Sequence, residues 1–286
     1  MKTRREFLSI TVGSLFLADM TMLLGADEKD VKKTWKVGIC DWDLRAAGRL
    51  SSFAVAKELG FDGVQVSYDP EGSESLANRA YRPMFLAAAK GSGVAIASLC
   101  IGLLNERPLA TTREAEGWVE DSLGAIDEMN VSQVMLPFFG NGDMESNKDH
   151  QPMVIEKIKR LAPIAEKRKK IIAIESYLSA EALLKMIETI GSDVIKVYYD
   201  TLNHKHKGYD IYREIELLGS KKLISEIHFK EEEARIGGGE IDFARVCAVL
   251  EKVGYEGWIV VEGSTTGDWK ESHAANSQFI KKLIGR

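Results

Sequence analysis

Histidine and cysteine are scarce in this chain, with five and three residues among 286. Cys40, Cys100 and Cys247 are too few and too scattered for a disulfide framework or a zinc knuckle. Cys40 and Cys100 stand in apolar runs, where cysteine behaves as a small buried hydrophobe. No histidine precedes His150, so the early segments lack the ligands of a multi-zinc cluster. No Gly-x-Gly-x-x-Gly follows the first strand-like run, and nothing marks a dinucleotide-binding open sheet. Positive charge is in deficit too: 38 Lys and Arg face 43 Asp and Glu, a net of −5, which disfavours phosphate backbones and excludes nucleic acid as the expected partner. Beyond the first 26 residues no run of about 20 apolar residues could span a membrane. No linker or low-complexity stretch divides the chain.

What is present begins with a basic start, Lys2, Arg4 and Arg5, and an apolar stretch reaching Leu24. The segment Thr3-Arg4-Arg5-Glu6-Phe7-Leu8 resembles the twin-arginine export signal. Asp19 interrupts the apolar stretch and argues against a membrane span, because a carboxylate at mid-membrane is costly. The expectation is an export signal over residues 1–26, a short linker over 27–34, a single domain over 35–286, and a periplasmic location. Twin-arginine export carries proteins across already folded.

From Trp35 onward, short apolar runs alternate with longer amphipathic stretches. The runs cover residues 37–40, 64–67, 94–100, 131–139, 171–175, 194–200, 224–229 and 258–262. Continuous apolar character, rich in Val and Ile, fits parallel strands buried on both faces. Eight such runs in about 250 residues predict an α/β fold of the (β/α)₈ TIM-barrel type. Between them, Thr111-Thr112-Arg113-Glu114 reads as a capping box that opens a helix. Trp118, Val119, Leu123 and Ile126 recur at helical spacing, as do Leu183, Met186, Ile187 and Ile190 after Ser179. Glu58-Leu59-Gly60-Phe61-Asp62-Gly63-Val64 is echoed by Lys252-Val253-Gly254-Tyr255-Glu256-Gly257-Trp258, and in each copy a glycine ends a helix before the next strand begins. Repetition of that kind fits a cyclic βα architecture.

Four of the later runs end on polar groups: Glu175, Asp200, His228 and Glu262, separated by 25, 28 and 34 residues. Each separation is close to one βα unit, so on consecutive barrel strands all four gather at the carboxyl end, where such barrels keep their sites. Three carboxylates and an imidazole converging there repel one another unless a cation joins them. The set is hard and oxygen-rich with one nitrogen, suited to Mn²⁺, Mg²⁺, Co²⁺ or Zn²⁺. Four protein ligands leave room for substrate oxygens, which distinguishes a catalytic site from a structural one.

The stretches Tyr198-Tyr199-Asp200-Thr201-Leu202-Asn203, Glu226-Ile227-His228-Phe229-Lys230-Glu231 and Gly254-Tyr255-Glu256-Gly257-Trp258-Ile259-Val260-Val261-Glu262 resemble the sugar phosphate isomerase/epimerase family of xylose isomerase-like barrels. The resemblance implies that Glu175, Asp200, His228 and Glu262 bind one divalent ion and that Glu175 and Glu262 face opposite sides of a sugar. It implies an isomerase or epimerase in which the metal stabilises an enediolate while one glutamate removes a proton and the other delivers one. Lys230, two residues beyond His228, points to the same side and is expected to hold a substrate oxygen. Glu181, Asn203, Arg235 and Trp42 are further candidates for substrate contacts, and Asp41 and Asp43 lie near the expected pocket mouth. The family's epimerases often carry a histidine three residues after the metal-binding aspartate. Here that position is Asn203, with His204 and His206 beside it as substitutes. A lyase acting on a keto-glycoside through the same enolate chemistry is the alternative. A non-catalytic sugar-binding protein and an apurinic endonuclease rank below it.

Overall fold

The computed structural model describes residues 35–286. The export signal and linker expected over residues 1–34 lie outside them. Eight parallel strands close into a barrel in sequence order. They are β1 (Lys36–Cys40), β2 (Gly63–Ser67), β3 (Ala95–Cys100), β4 (Gln133–Phe138), β5 (Ile171–Ser176), β6 (Ile195–Asp200), β7 (Ile224–Phe229) and β8 (Trp258–Val261). Around them run α1 (Ser51–Glu58), α2 (Arg82–Ser92), α3 (Ala115–Glu128), α4 (His150–Arg168), α5 (Ala180–Ile190), α6 (Thr201–His206), α7 (Ile211–Ser220), α8 (Phe243–Lys252) and α9 (Trp269–Leu283). Every expected apolar run contains a strand, and closure of β1 on β8 rules out the open doubly wound sheet.

Strand side chains alternate between two environments. Ile172, Ile174, Val197, Tyr199, Ile227 and Phe229 face outward into one continuous apolar layer shared with the helices. That layer is the main core, and burial of its large side chains, each worth about 1.5–3 kcal/mol, drives closure. The inward residues Cys100, Met135, Ala173 and Tyr198 form a separate small cluster inside the barrel. Buried polar groups interrupt that interior: Gln65, Ser98, Gln133 and Glu226.

The repeated turn behaves as the sequence pattern requires. Gly60 follows α1 with φ 82° and Gly254 follows α8 with φ 62°, a left-handed conformation that costs glycine nothing. Gly63 has a different reason: a Cβ there would lie 2.5 Å from the Trp258 ring, so the β8 indole can pack only on a bare backbone. The capping box does not form. Helix α3 starts at Ala115, Glu114 occupies the cap position in helical conformation with no side-chain cap, and its carboxylate instead lies 3.5 Å from Arg107. Ser179 does cap α5, its Oγ accepting from the Ala182 amide.

His273 of α9 is buried, and its Nδ1 has no hydrogen-bond partner. Burial pushes its imidazole down from 6.5 to about 4. The unfolded chain therefore takes up a proton, between pH 6.5 and 4, that the native state refuses, so stability falls as pH drops through that window. Denaturant unfolding at several pH values is expected to show His273→Gln losing less stability than the parent between pH 6.5 and 4. Parallel profiles would contradict this.

Candidate active site

The strand ends bring the four expected residues together. Glu175 is the fifth residue of β5 and Asp200 closes β6. His228 sits on β7 in register with Asp200, and Glu262 lies one residue past β8. One potential ligand atom from each lies within 4.8 Å of the others. A register shift between Val197 and Tyr198 precedes the paired Asp200 and His228, the kind of irregularity that re-aims side chains at a barrel rim.

His228 is the hub. Its Nδ1 lies 2.9 Å from Glu175 Oε1 and 3.6 Å from both Asp200 Oδ2 and Glu262 Oε2. On the far side of the ring, Nε2 lies 3.0 Å from Gln65 Oε1. Because that oxygen can only accept, Nε2 carries the proton that leaves Nδ1 free to act as a ligand. Gln65 is itself fixed: its amide donates to Ser98 Oγ at 3.1 Å, and Ser98 donates to Glu226 Oε2 at 2.7 Å. Cys40 Sγ closes the same corner, 3.4 Å from Nε2.

Asp200 divides its two oxygens. Oδ1 accepts the amides of Leu202 (2.9 Å) and Asn203 (2.7 Å), capping α6. Oδ2 is buried without a hydrogen-bond partner. An unsatisfied carboxylate oxygen facing an imidazole and two more carboxylates fits a divalent cation, which supplies the missing partner. Lys230 partly fills that electrostatic role, with Nζ 2.7 Å from Glu262 Oε2 and 3.7 Å from Asp200 Oδ2.

The titration behaviour follows. Burial pushes Glu175 up to about 7 although His228 opposes it. Burial also works against charge on Asp200, but Lys230 and His228 outweigh it and hold that carboxyl well below the usual range. For His228 the carboxylates of Glu262 and Glu175 overcome burial and raise the ring to about 10. Without a metal, then, the cluster draws its counter-charge from a proton on His228 and from Lys230.

A cavity of about 460 Å³ opens beside this cluster, lined by Trp42, Tyr68, Asp69, Leu103, Asn105, Glu106, Met135 and Phe139 and reaching Glu175 and Glu262. Trp42 stands edge-on to His228, with ring centroids 6.5 Å apart. Asn203 contributes its amide to Asp200 and does not line the cavity. Neither Glu181 nor Arg235 reaches it. Glu181 sits in the first turn of α5 facing Arg213 at 3.4 Å, and Arg235 donates to Ser272 at 3.3 Å. His204 and His206 do not replace the absent histidine: the former lies 2.7 Å from buried Glu214, the latter 3.2 Å from exposed Glu232. Asp41 is occupied by Ser67 and Gly48, whereas Asp43 accepts from the Gly263 amide and steadies the Glu262 loop. Gln65, Glu226 and the pocket wall after β2–β4 were not singled out in the sequence. The available signal was a polar residue interrupting an apolar run, as in Val64-Gln65-Val66.

The sequence profile of the Xylose isomerase-like TIM barrel family matches residues 53–283. The chain belongs to that family. A 2-epi-5-epi-valiolone 7-phosphate 2-epimerase from an Actinoplanes species is 25% identical over 179 residues, 62% of this chain and 66% of that enzyme, just under two thirds of its length. Among solved structures, D-psicose 3-epimerase from Clostridium cellulolyticum superposes with a TM-score of 0.71 at 17% identity, covering 87% of this chain and 99% of the other. The 3-keto-D-glucoside 4-epimerase from E. coli gives 0.73 at 17% identity, covering 88% and 100%. At such identities the two structural matches speak for the fold.

Gln65→Leu keeps the volume but removes the oxygen that orients His228. Calorimetric titration is expected to show divalent-cation affinity about 10–100-fold weaker than in the parent. Unchanged affinity would remove Gln65 from the site.

Proposed function

We propose that the protein is a metal-dependent sugar isomerase or epimerase that works through an enediolate. The observation that carries this reading is the placement of Glu175 and Glu262. Both border one cavity, and both lie against a cluster of donors suited to a divalent ion. That the sequence relative and both structural neighbours are epimerases supports it.

Glu175, Asp200, His228 and Glu262 would hold the cation, whose chemistry when bound is to stabilise negative charge on neighbouring carbonyl and hydroxyl oxygens. The donors suit Mn²⁺, Mg²⁺ or Co²⁺, with Zn²⁺ also compatible. Glu175 exchanges a proton with substrate carbon on one face, and Glu262 serves the other. Lys230 keeps Glu262 oriented and offers an N–H to a substrate oxygen. Trp42 provides a flat wall for a sugar ring. Because the cavity continues past the two glutamates toward Leu103 and Phe139, a keto-glycoside that loses its substituent by the same proton abstraction is the second reading.

We also infer that residues 1–26 direct export to the periplasm and that residues 35–286 form the working domain. The paired Arg4 and Arg5 before an apolar stretch support this. Arg4→Lys with Arg5→Lys is expected to retain the protein in the cytoplasm on cell fractionation, and normal export of that variant would refute the twin-arginine assignment.

Glu175→Gln and Glu262→Gln, each saturated with metal, are expected to slow deuterium exchange from D₂O into a ketose or keto-glycoside by about 10²–10⁴-fold. Exchange without elimination marks the epimerase, and release of the substituent marks the lyase. A parent protein that binds sugar but exchanges no carbon-bound proton would be a binding protein.

A further inference from the structure

The charge of the cavity restricts what can enter it. The acidic side chains that line it are the exposed Asp69 and Glu106, the half-buried Glu262 and the buried Glu175. Among the described residues no lysine, arginine or histidine lines it. Lys230, beside it, already faces two carboxylates, Glu262 and Asp200, which offset its charge. Arg107, next in sequence to Glu106, turns onto the Trp118 ring and pairs with Glu71 and Glu114.

The usual phosphate-binding place of a barrel is acidic here as well. Barrels of this type commonly bind phosphate through the loops after β7 and β8 and a helix N-terminus. Here the β7 loop carries Glu231, Glu232 and Glu233. The Glu231 carboxylate accepts the amides of Glu240 and Ile241, and Asp242 and Asp268 cap α8 and α9. Four backbone amides there, those of Glu240, Ile241, Arg245 and Glu271, are held by the chain's own carboxylates. A phosphate monoester at either place would meet like charge in a partly desolvated setting.

Resting on the isomerase/epimerase reading, we propose that the substrate is a non-ionic glycoside of a keto-sugar and not a sugar phosphate. Its reacting ring lies between Glu175 and Glu262. Its glycosidic substituent runs along the wall formed by Tyr68, Leu103, Met135 and Phe139, where an uncharged ring is buried without ionic cost. Glu106 and Asp69 accept hydroxyl protons at the rim.

The test uses the metal-loaded protein and three ground-state analogues: glucose, phenyl β-D-glucopyranoside, and the same phenyl glucoside carrying a 6-phosphate. Binding is followed by tryptophan fluorescence and calorimetry. The phenyl glucoside is expected to bind at least about 10-fold more tightly than glucose, and its phosphate at least about 10-fold more weakly than the unphosphorylated form. Phe139→Ala should abolish the phenyl advantage while leaving glucose unaffected, and Glu106→Lys should shrink the phosphate penalty. Equal or tighter binding of the phosphate, indifference to the phenyl group, or no binding of any analogue at millimolar concentration would overturn the proposal. Should the binding order hold while no carbon-bound proton exchanges in a keto-glycoside, the isomerase/epimerase reading fails and the ligand class stands.

Discussion

Three carboxylates crowd one imidazole nitrogen at the mouth of this barrel, and most of the surrounding polar structure answers that crowding. Like charges buried so close together cannot all persist without a compensating positive group. The chain supplies part of it with Lys230 and a proton on His228. The remaining demand is what suits the cluster to a cation. Gln65, Ser98 and Glu226 extend the response down the barrel axis, fixing which nitrogen of His228 faces the acids. An interior that other barrels fill with branched apolar side chains is here given over to a relay of hydrogen bonds.

The two halves of the barrel divide the labour. Strands β5 to β8 end in charged groups that converge on one point. Strands β1 to β4 lead into loops carrying Trp42, Tyr68, Leu103 and Phe139, which shape the adjoining cavity. The charged cluster and the cavity wall are thus mounted on opposite arcs of one ring, tied together where Asp43 of the first arc accepts the Gly263 amide beside Glu262.

Much of this was legible in the residues. The eight strands were visible because a parallel barrel buries both faces of each strand, leaving uninterrupted Val- and Ile-rich runs. The four donors were visible because each stands where such a run stops. Residues whose meaning depends on register were harder to read. Gln65 and Glu226 look like blemishes in apolar strands until closure shows which face points inward. Glu181 and Arg235 fit the polarity of a sugar contact, yet the first faces Arg213 and the second donates to Ser272. The Thr112 region has the letters of a capping box, but Arg107 draws Glu114 away from the helix start. Local sequence chemistry predicted these poorly because tertiary partners outcompeted it.

Asp200 carries one more implication. With Oδ1 held by two backbone amides at the start of α6, this carboxylate cannot swing round to offer both oxygens to an ion. A helix cap therefore leaves only Oδ2 turned toward Nδ1 of His228 and the Lys230 ammonium. The direction in which this acid faces its partners is thus written into the backbone of a six-residue helix.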